Sequence, residues 1–304
     1  MQVERVVPSG YCKGVIRAIM MVRRARQADP DEPIYILGML VHNRYVVEAF
    51  KALGVTTLEE PGVSRRELLE SIDHGTVVFT AHGIDPAIKA RAREKGLKII
   101  DATCIDVTRS MDNCRDYLKK GYVIIYLGIR NHPEAEAVCS LSADIHLVTC
   151  DADLDVLQLE GQKIVITSQT TMSQLDNARR IETILARYPQ AIVAEEICNA
   201  TRMRQNALMK LEGYDHLIVV GDPRSNNTRQ LAGIGRSAVP EVMCVENAAA
   251  LADIDTSGWQ KVAVTAGAST PSYLTDQVIR YLQTGDPVYL QTKISRIFDN
   301  QEEL

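Results

Sequence analysis

LKIIDATC, residues 97–104, is an extended apolar run that stops at a cysteine, and two other stretches of this 304-residue chain read the same way. They are VERVVPSGYC at 3–12 and AIVAEEIC at 191–198. Their cysteines, Cys12, Cys104 and Cys198, lie 92 (104 − 12) and 94 (198 − 104) residues apart. A fixed period of that length marks a repeated structural unit, so each candidate metal ligand belongs to its own copy.

The repeat extends beyond the cysteines. A helix-like stretch follows each one, and a second apolar run then ends in glycine: YILG (Gly38), IIYLG (Gly128) and LIVVG (Gly221). Four residues beyond each glycine stand His42, His132 and Ser225. A third run, TVVFTAHG, KIVITSQT or KVAVTAGA, carries Thr80, Thr167 or Thr265, with His82, Thr170 and Ser269 just beyond. Short Val- and Ile-rich runs alternating with helical patterns predict buried parallel strands with crossover helices. Ligands of such sheets bind beyond the carboxyl ends of the strands, where these polar residues fall. The fold class expected is therefore α/β: three similar modules with parallel sheets, set pseudo-threefold around a central metal site. Boundaries follow the repeat, giving modules over 13–97, 98–193 and 194–282, with terminal segments 1–12 and 283–304. The last of these, charged and mixed, either packs over the first module or frays.

Composition bounds the function. The net charge of −5 argues against a nucleic-acid partner, whose binders carry basic patches. No apolar stretch approaches the roughly 18–20 residues that cross a bilayer, and MQVERVVPSG lacks the basic start and apolar core of a signal peptide. A cytoplasmic enzyme is expected. Seven cysteines without an export signal argue against a disulfide framework.

Three thiolates without a fourth protein ligand suit an iron-sulfur cluster or, with a histidine or water, zinc. A single cysteine is usually a small buried hydrophobe, which is the reading for Cys114, Cys139, Cys150 and Cys244. Recurrence at equivalent points sets Cys12, Cys104 and Cys198 apart. His42, His82 and His132 stand at strand ends in the same way, whereas His74, His146 and His216 do not. Around them, Asn43, the RSNNT segment with Ser225, Asn226 and Asn227, and Ser269 in AGASTPS could surround a phosphate group. Ser, Thr and Asn at strand-to-helix junctions also serve as ordinary N-caps. In NHPEAEA, Pro133 favours a helix start and places Glu134 in its first turn. An acid there complements the helix dipole, and beside a metal cluster it is also a natural proton donor for a leaving hydroxyl. Thr170 could orient it.

Taken in order, GYCKGVIRAI, VHNRYVVEAF, TAHG, DATC, HPE, SQTTMS, EEICNATRMRQ, RSNN and AGAS resemble the 4-hydroxy-3-methylbut-2-enyl diphosphate reductase family, known as IspH or LytB, over residues 9 to 282. The resemblance implies an iron-sulfur oxidoreductase of isoprenoid biosynthesis, the last step of the methylerythritol phosphate pathway. It implies a 4Fe-4S cluster held by Cys12, Cys104 and Cys198, with one open iron for the substrate hydroxyl. It assigns His42, His82, Ser225, Asn227 and Ser269 to the substrate diphosphate, with Asn226 alongside. His132, Glu134 and Thr170 would surround the hydroxyl, Glu134 feeding the proton relay. Reductive dehydroxylation would then yield isopentenyl and dimethylallyl diphosphate, with ferredoxin or flavodoxin as one-electron donor. Departures from the family pattern are Lys13 and Ile16 near Cys12, Ile105 after Cys104 in place of proline, Ile129 in place of histidine, and Asn226 in place of serine. The competing readings are a paralogous iron-sulfur reductase with another substrate and a non-enzymatic iron-sulfur sensor or carrier.

Overall fold

The computed structural model describes residues 1–194 and 197–299. Glu195 and Glu196 of the EEIC motif and residues 300–304 of the C-terminal segment lie outside the described residues.

Each copy of the repeat builds one four-stranded sheet. β1 (Gln2–Arg5) precedes α1 (Lys13–Ala28); the first sheet follows, with β2 (Ile34–Leu37), α2 (Arg44–Ala52), β3 (Val55–Leu58), α3 (Arg65–Glu70), β4 (Thr76–Phe79), α4 (Pro86–Glu94) and β5 (Lys98–Asp101). The second copy runs α5 (Ile105–Lys119), β6 (Tyr122–Leu127), α6 (Pro133–Cys139), β7 (Ile145–Val148), α7 (Asp151–Asp155), β8 (Lys163–Ser168), α8 (Gln174–Arg187) and β9 (Ile192–Val193). The third runs α9 (Asn199–Met209), β10 (His216–Val220), α10 (Asn226–Gly235), β11 (Glu241–Val245), β12 (Lys261–Ala266) and α11 (Ser272–Thr284).

Strand order is the same in all three sheets: β3-β2-β4-β5, β7-β6-β8-β9 and β11-β10-β12-β1. Pairing is parallel from β2 to β4 to β5, from β7 to β6 to β8 to β9, and from β11 to β10 to β12 to β1. Sheet membership thus draws the modules differently from the boundaries at 13, 98 and 194. The strand leading to each cysteine closes the sheet of the preceding copy, because β4 and β5 are joined by the crossover helix α4 and pair side by side. The N-terminal segment is accordingly no appendage: Arg5 of β1 registers with Val264 of β12.

The inner strands explain their own composition. β4 and the last four residues of β6 and β10 are buried throughout, so they read as nearly continuous apolar runs, TVVF, IIYL and LIVV, without polar alternation. Each such side chain contributes about 1.5–3 kcal/mol by leaving water.

The chain divides into two compact units. The first comprises Met1–Ile16, Val41–Thr56 and Asn199–Leu304, the second Arg17–Leu40 and Thr57–Cys198. In the first, Leu208, Leu217, Val219, Leu231 and Ala263 form the core of the third sheet. The segment after α11 packs there too, where the Phe298 ring meets Phe50 of α2 with centroids 4.8 Å apart. In the second unit, Leu37, Leu69, Phe79 and Ile88 fill the first sheet's core, and Val107, Ile124, Tyr126 and Val138 one face of the second. No helix among the described residues is long and apolar enough to cross a membrane.

Candidate functional site

One backbone hydrogen bond recurs three times and positions the cysteines. The Cys12 N–H donates to the Ala268 carbonyl at 3.1 Å, Cys104 to Ala81 at 2.9 Å and Cys198 to Thr170 at 3.1 Å. In every copy the acceptor lies in the loop after the third apolar run, on or beside a residue singled out from the sequence: Ser269, His82 and Thr170. Each cysteine also opens a helix: Cys104 is the N-cap of α5, and Cys12 and Cys198 directly precede Lys13 of α1 and Asn199 of α9. All three are half-buried, and none of the seven cysteines forms a disulfide. Cys114 is a core side chain, and burial pushes the Cys139 thiol up to about 11. Within either unit, no three His, Cys, Asp or Glu side chains among the described residues are grouped tightly enough to hold a single metal ion.

The second unit gathers the groups that can handle protons. Glu134, 1% exposed, lies in the first turn of α6. Its Oε1 accepts the Thr170 backbone N–H at 2.7 Å and its Oε2 the Thr170 hydroxyl at 2.9 Å. Thr170 therefore ties the carboxylate through its N–H and Cys198 through its carbonyl. His132 caps α6, its Nδ1 accepting the Glu134 N–H at 3.1 Å. An accepting Nδ1 leaves Nε2 to carry the proton of the neutral ring. The His82 ring meets His132 edge-on, with centroids 5.6 Å apart and planes at 89°. Behind His82, Arg65 donates to the Gly83 carbonyl at 3.1 Å and to Thr80 Oγ1 at 3.5 Å, while Thr80 Oγ1 lies 3.3 Å from His82 Nδ1. A guanidinium only donates, so Thr80 Oγ1 accepts from Arg65, and which of Thr80 and His82 donates to the other is set by the His82 tautomer.

The first unit gathers neutral donors. Ser269 Oγ donates to the His42 carbonyl at 2.9 Å and stands 3.4 Å from Ser225 Oγ. Ser225 caps α10 by accepting the Thr228 N–H, and Asn43 caps α2 by accepting from Tyr45 and Val46, so the capping role expected of such residues is present at both. Asn227 is held at both ends of its amide: Oδ1 accepts the Ala268 N–H at 2.9 Å and Nδ2 donates to Thr201 at 3.4 Å. Asn226 Oδ1 accepts from Gln230. Gly221 and Gly267 are required by close approach, since a Cβ on either would run into Thr228 Oγ1. The α10 start thereby sits directly against the ends of β10 and β12.

Two contributors escaped sequence reading. Asp222, 2% exposed, joins the loops of His42 and Ser225: Oδ2 accepts the Arg44 N–H at 2.9 Å, and Oδ1 the Arg224 N–H at 2.9 Å. The Arg224 guanidinium clasps both oxygens at 3.0 and 2.8 Å. Burial pushes this carboxyl up, but Arg224 and the two backbone N–H groups outweigh it and hold it below its ordinary value. Arg65 is the other. Neither belongs to the repeat, and an acid or arginine near a strand end gives no periodic signal.

Comparison with known proteins places this architecture. A family model described as LytB protein matches residues 3–283. The 4-hydroxy-3-methylbut-2-enyl diphosphate reductase of Symbiobacterium thermophilum is 46% identical over 288 residues, covering 93% of this chain and 97% of that protein. That of Anoxybacillus flavithermus is 44% identical over 291 residues, covering 94% and 92%. Among solved structures, the E-1-hydroxy-2-methyl-but-2-enyl-4-diphosphate reductase of Plasmodium falciparum superposes with a TM-score of 0.84 at 29% identity, over 96% of this chain and 90% of that one. Matched along nearly its whole length and carrying three sheets of one topology, the chain belongs to the LytB family.

Proposed function

We propose that the protein removes the hydroxyl of 4-hydroxy-3-methylbut-2-enyl diphosphate reductively, giving isopentenyl and dimethylallyl diphosphate, in the cytoplasm. The observation that carries this reading is the thrice-repeated hydrogen bond from a cysteine N–H to the loop bearing a substrate-directed side chain. One architecture thereby sets a thiol and a polar side chain together in each copy, and relatives close to half identical over the whole chain are named for this reaction.

The family's cofactor is an iron-sulfur cluster, and the donor set fits it. Cys12, Cys104 and Cys198 would hold the cluster, each at a helix start, where the dipole favours the negative charge of thiolate ligands. When bound, the cluster supplies two electrons, one at a time, and Lewis acidity toward the departing hydroxyl. A one-electron donor of the ferredoxin or flavodoxin type would replenish it.

The chain's own residues do the rest. His42, His82, Ser225, Asn227 and Ser269, with Asn226 alongside, bind the diphosphate through imidazole, hydroxyl and amide donors. Glu134, once protonated, supplies the proton with which the hydroxyl leaves as water: the Thr170 hydroxyl reverses its bond, accepting from Glu134 as it passes its own proton on. His132, its Nδ1 occupied, presents Nε2–H to the same oxygen. The sum balances: the alcohol, two electrons and two protons give the deoxygenated diphosphate and water. The test is anaerobic cluster reconstitution, iron and sulfide analysis with electron paramagnetic resonance, then turnover with a reduced one-electron donor. Both products should appear. A protein with an intact cluster that leaves the substrate unconsumed would overturn the proposal.

A further inference from the structure

Asp222 presents a physical problem that the reading above leaves unsolved. It is a buried carboxylate three residues before Ser225, on a loop proposed to bind a diphosphate, and a negative charge there opposes an anionic ligand. Yet its geometry is that of a built clamp. One oxygen takes the N–H of Arg44, two residues after His42; the other takes the N–H of Arg224, just before Ser225. Arg224 closes the arrangement through Nε and Nη2. Because Asn43 takes the N–H groups of Tyr45 and Val46 and Asp222 that of Arg44, the first turn of α2 is supplied from within the protein.

We propose that Asp222 is a positioning residue for the anion-binding loops, fixing the His42 loop against the Ser225 loop, and that Arg224 neutralises it so that this fixation does not repel the diphosphate. The inference rests on the assignment of His42, Ser225 and Ser269 to that diphosphate. An uncharged link of the same reach would hold fewer groups. Asparagine has one acceptor oxygen where the carboxylate uses two, so one loop would be released.

The Asp222 carboxylate is buried while the Arg224 side chain that neutralises it is half exposed, so removing Arg224 alone differs in sign from removing both charges. Arg224→Leu leaves an uncompensated carboxylate beside the ligand and should weaken binding of inorganic diphosphate to the reconstituted holoenzyme by about tenfold or more. The double variant Asp222→Asn with Arg224→Leu removes the repulsion and should recover part of that loss, binding more tightly than Arg224→Leu yet more weakly than wild type because asparagine still releases one loop. Simple structural glue would make the double variant no tighter binding than Arg224→Leu, and that outcome overturns the proposal. Should Arg224→Leu fail to fold, Asp222→Asn alone decides: kcat/KM should fall about tenfold with the melting temperature nearly unchanged, and an unchanged kcat/KM refutes the clamp. Ser225→Ala separates the two levels. If wild type and Ser225→Ala bind inorganic diphosphate equally or not at all, the diphosphate site itself is wrong. If Ser225→Ala weakens binding while the charge cycle is flat, only the clamp falls.

Discussion

Glu134 in the second unit and Asp222 in the first are both buried carboxylates beside candidate substrate residues, and they are held by opposite means. Asp222 is gripped by a guanidinium and two backbone N–H groups, which stabilise its charge. Glu134 accepts from a threonine's N–H and hydroxyl. A carboxylate pinned as an anion is a structural fastener; one held by a hydroxyl that can itself relay a proton is equipped for chemistry. The division extends to their surroundings. Imidazoles gather with Glu134, and hydroxyls and amides on capped helices with Asp222. Variants of Glu134, His132 and Thr170 in the second unit should therefore act on turnover, and those of Ser225, Asn227 and Ser269 in the first on affinity for the diphosphate.

The largest effect should come from the cysteines. Cys104→Ser should abolish cluster retention and activity, whereas Cys244→Ser, on the exposed outer strand β11, should leave iron content normal. Normal iron and sulfide in Cys104→Ser would remove the ligand set from the proposal. Next, Glu134→Gln should lower kcat by about 10²–10⁴-fold while cluster spectrum and inorganic diphosphate affinity stay as in wild type. Loss of diphosphate affinity instead would erase the contrast between the units. Ser269→Ala, in the first unit, removes a hydroxyl bonded to the His42 carbonyl and should raise KM about tenfold with little change in kcat, as loss of one hydrogen bond worth about 1–1.5 kcal/mol predicts. A kcat defect with unchanged KM would move Ser269 into the chemical step.

Smaller effects test the scaffold beneath each side. Gly267→Ala must displace Thr228 at the start of α10, and should cost about 1–3 kcal/mol by urea denaturation. Asp215, which ties the starts of β10 and β12, titrates at about 2: burial raises it, but the N–H groups of Gln260 and Lys261 and the His216 side chain outweigh that. A depressed carboxyl stabilises the fold above its unfolded pKa and loses that contribution as pH falls through its native value. Asp215→Asn should thus lower the melting temperature near neutral pH, with the gap closing as pH approaches 2. A gap constant with pH would mean that the charge contributes nothing.

How much of this was legible in sequence depends on range. The three copies, their strands and helix starts were readable because apolar periodicity and capping chemistry are local: Pro133 announced α6, and Ser225 its cap. The sheet joined by each cysteine-bearing strand was not, because pairing is decided by a crossover helix and a partner remote in sequence. Residues 1–12 read as a terminal segment, and Gln2–Arg5 within them is an edge strand of the third sheet. Thr170 was singled out as an orienter of Glu134, and two hydrogen bonds between them are present. Asp222 and Arg65 stayed hidden because they lie outside the repeated motifs and their roles rest on contacts remote in sequence, Asp222 with Arg44 178 residues away and Arg65 with Thr80 and Gly83 15 and 18 away.

The edge position of β1 also sets an order of assembly. Among the described residues β1 pairs with β12 alone, which is made 259 residues later (261 − 2), so the N-terminal segment carrying Cys12 must wait on the ribosome without its sheet. The second unit, which includes Cys104 and Cys198, is complete once residue 198 has emerged. Two of the three thiols can thus be seated early, while the third is seated only when the chain is nearly finished. Under the proposed ligand set, cluster insertion would wait for the end of synthesis, and a truncated chain lacking β12 should fail to retain iron.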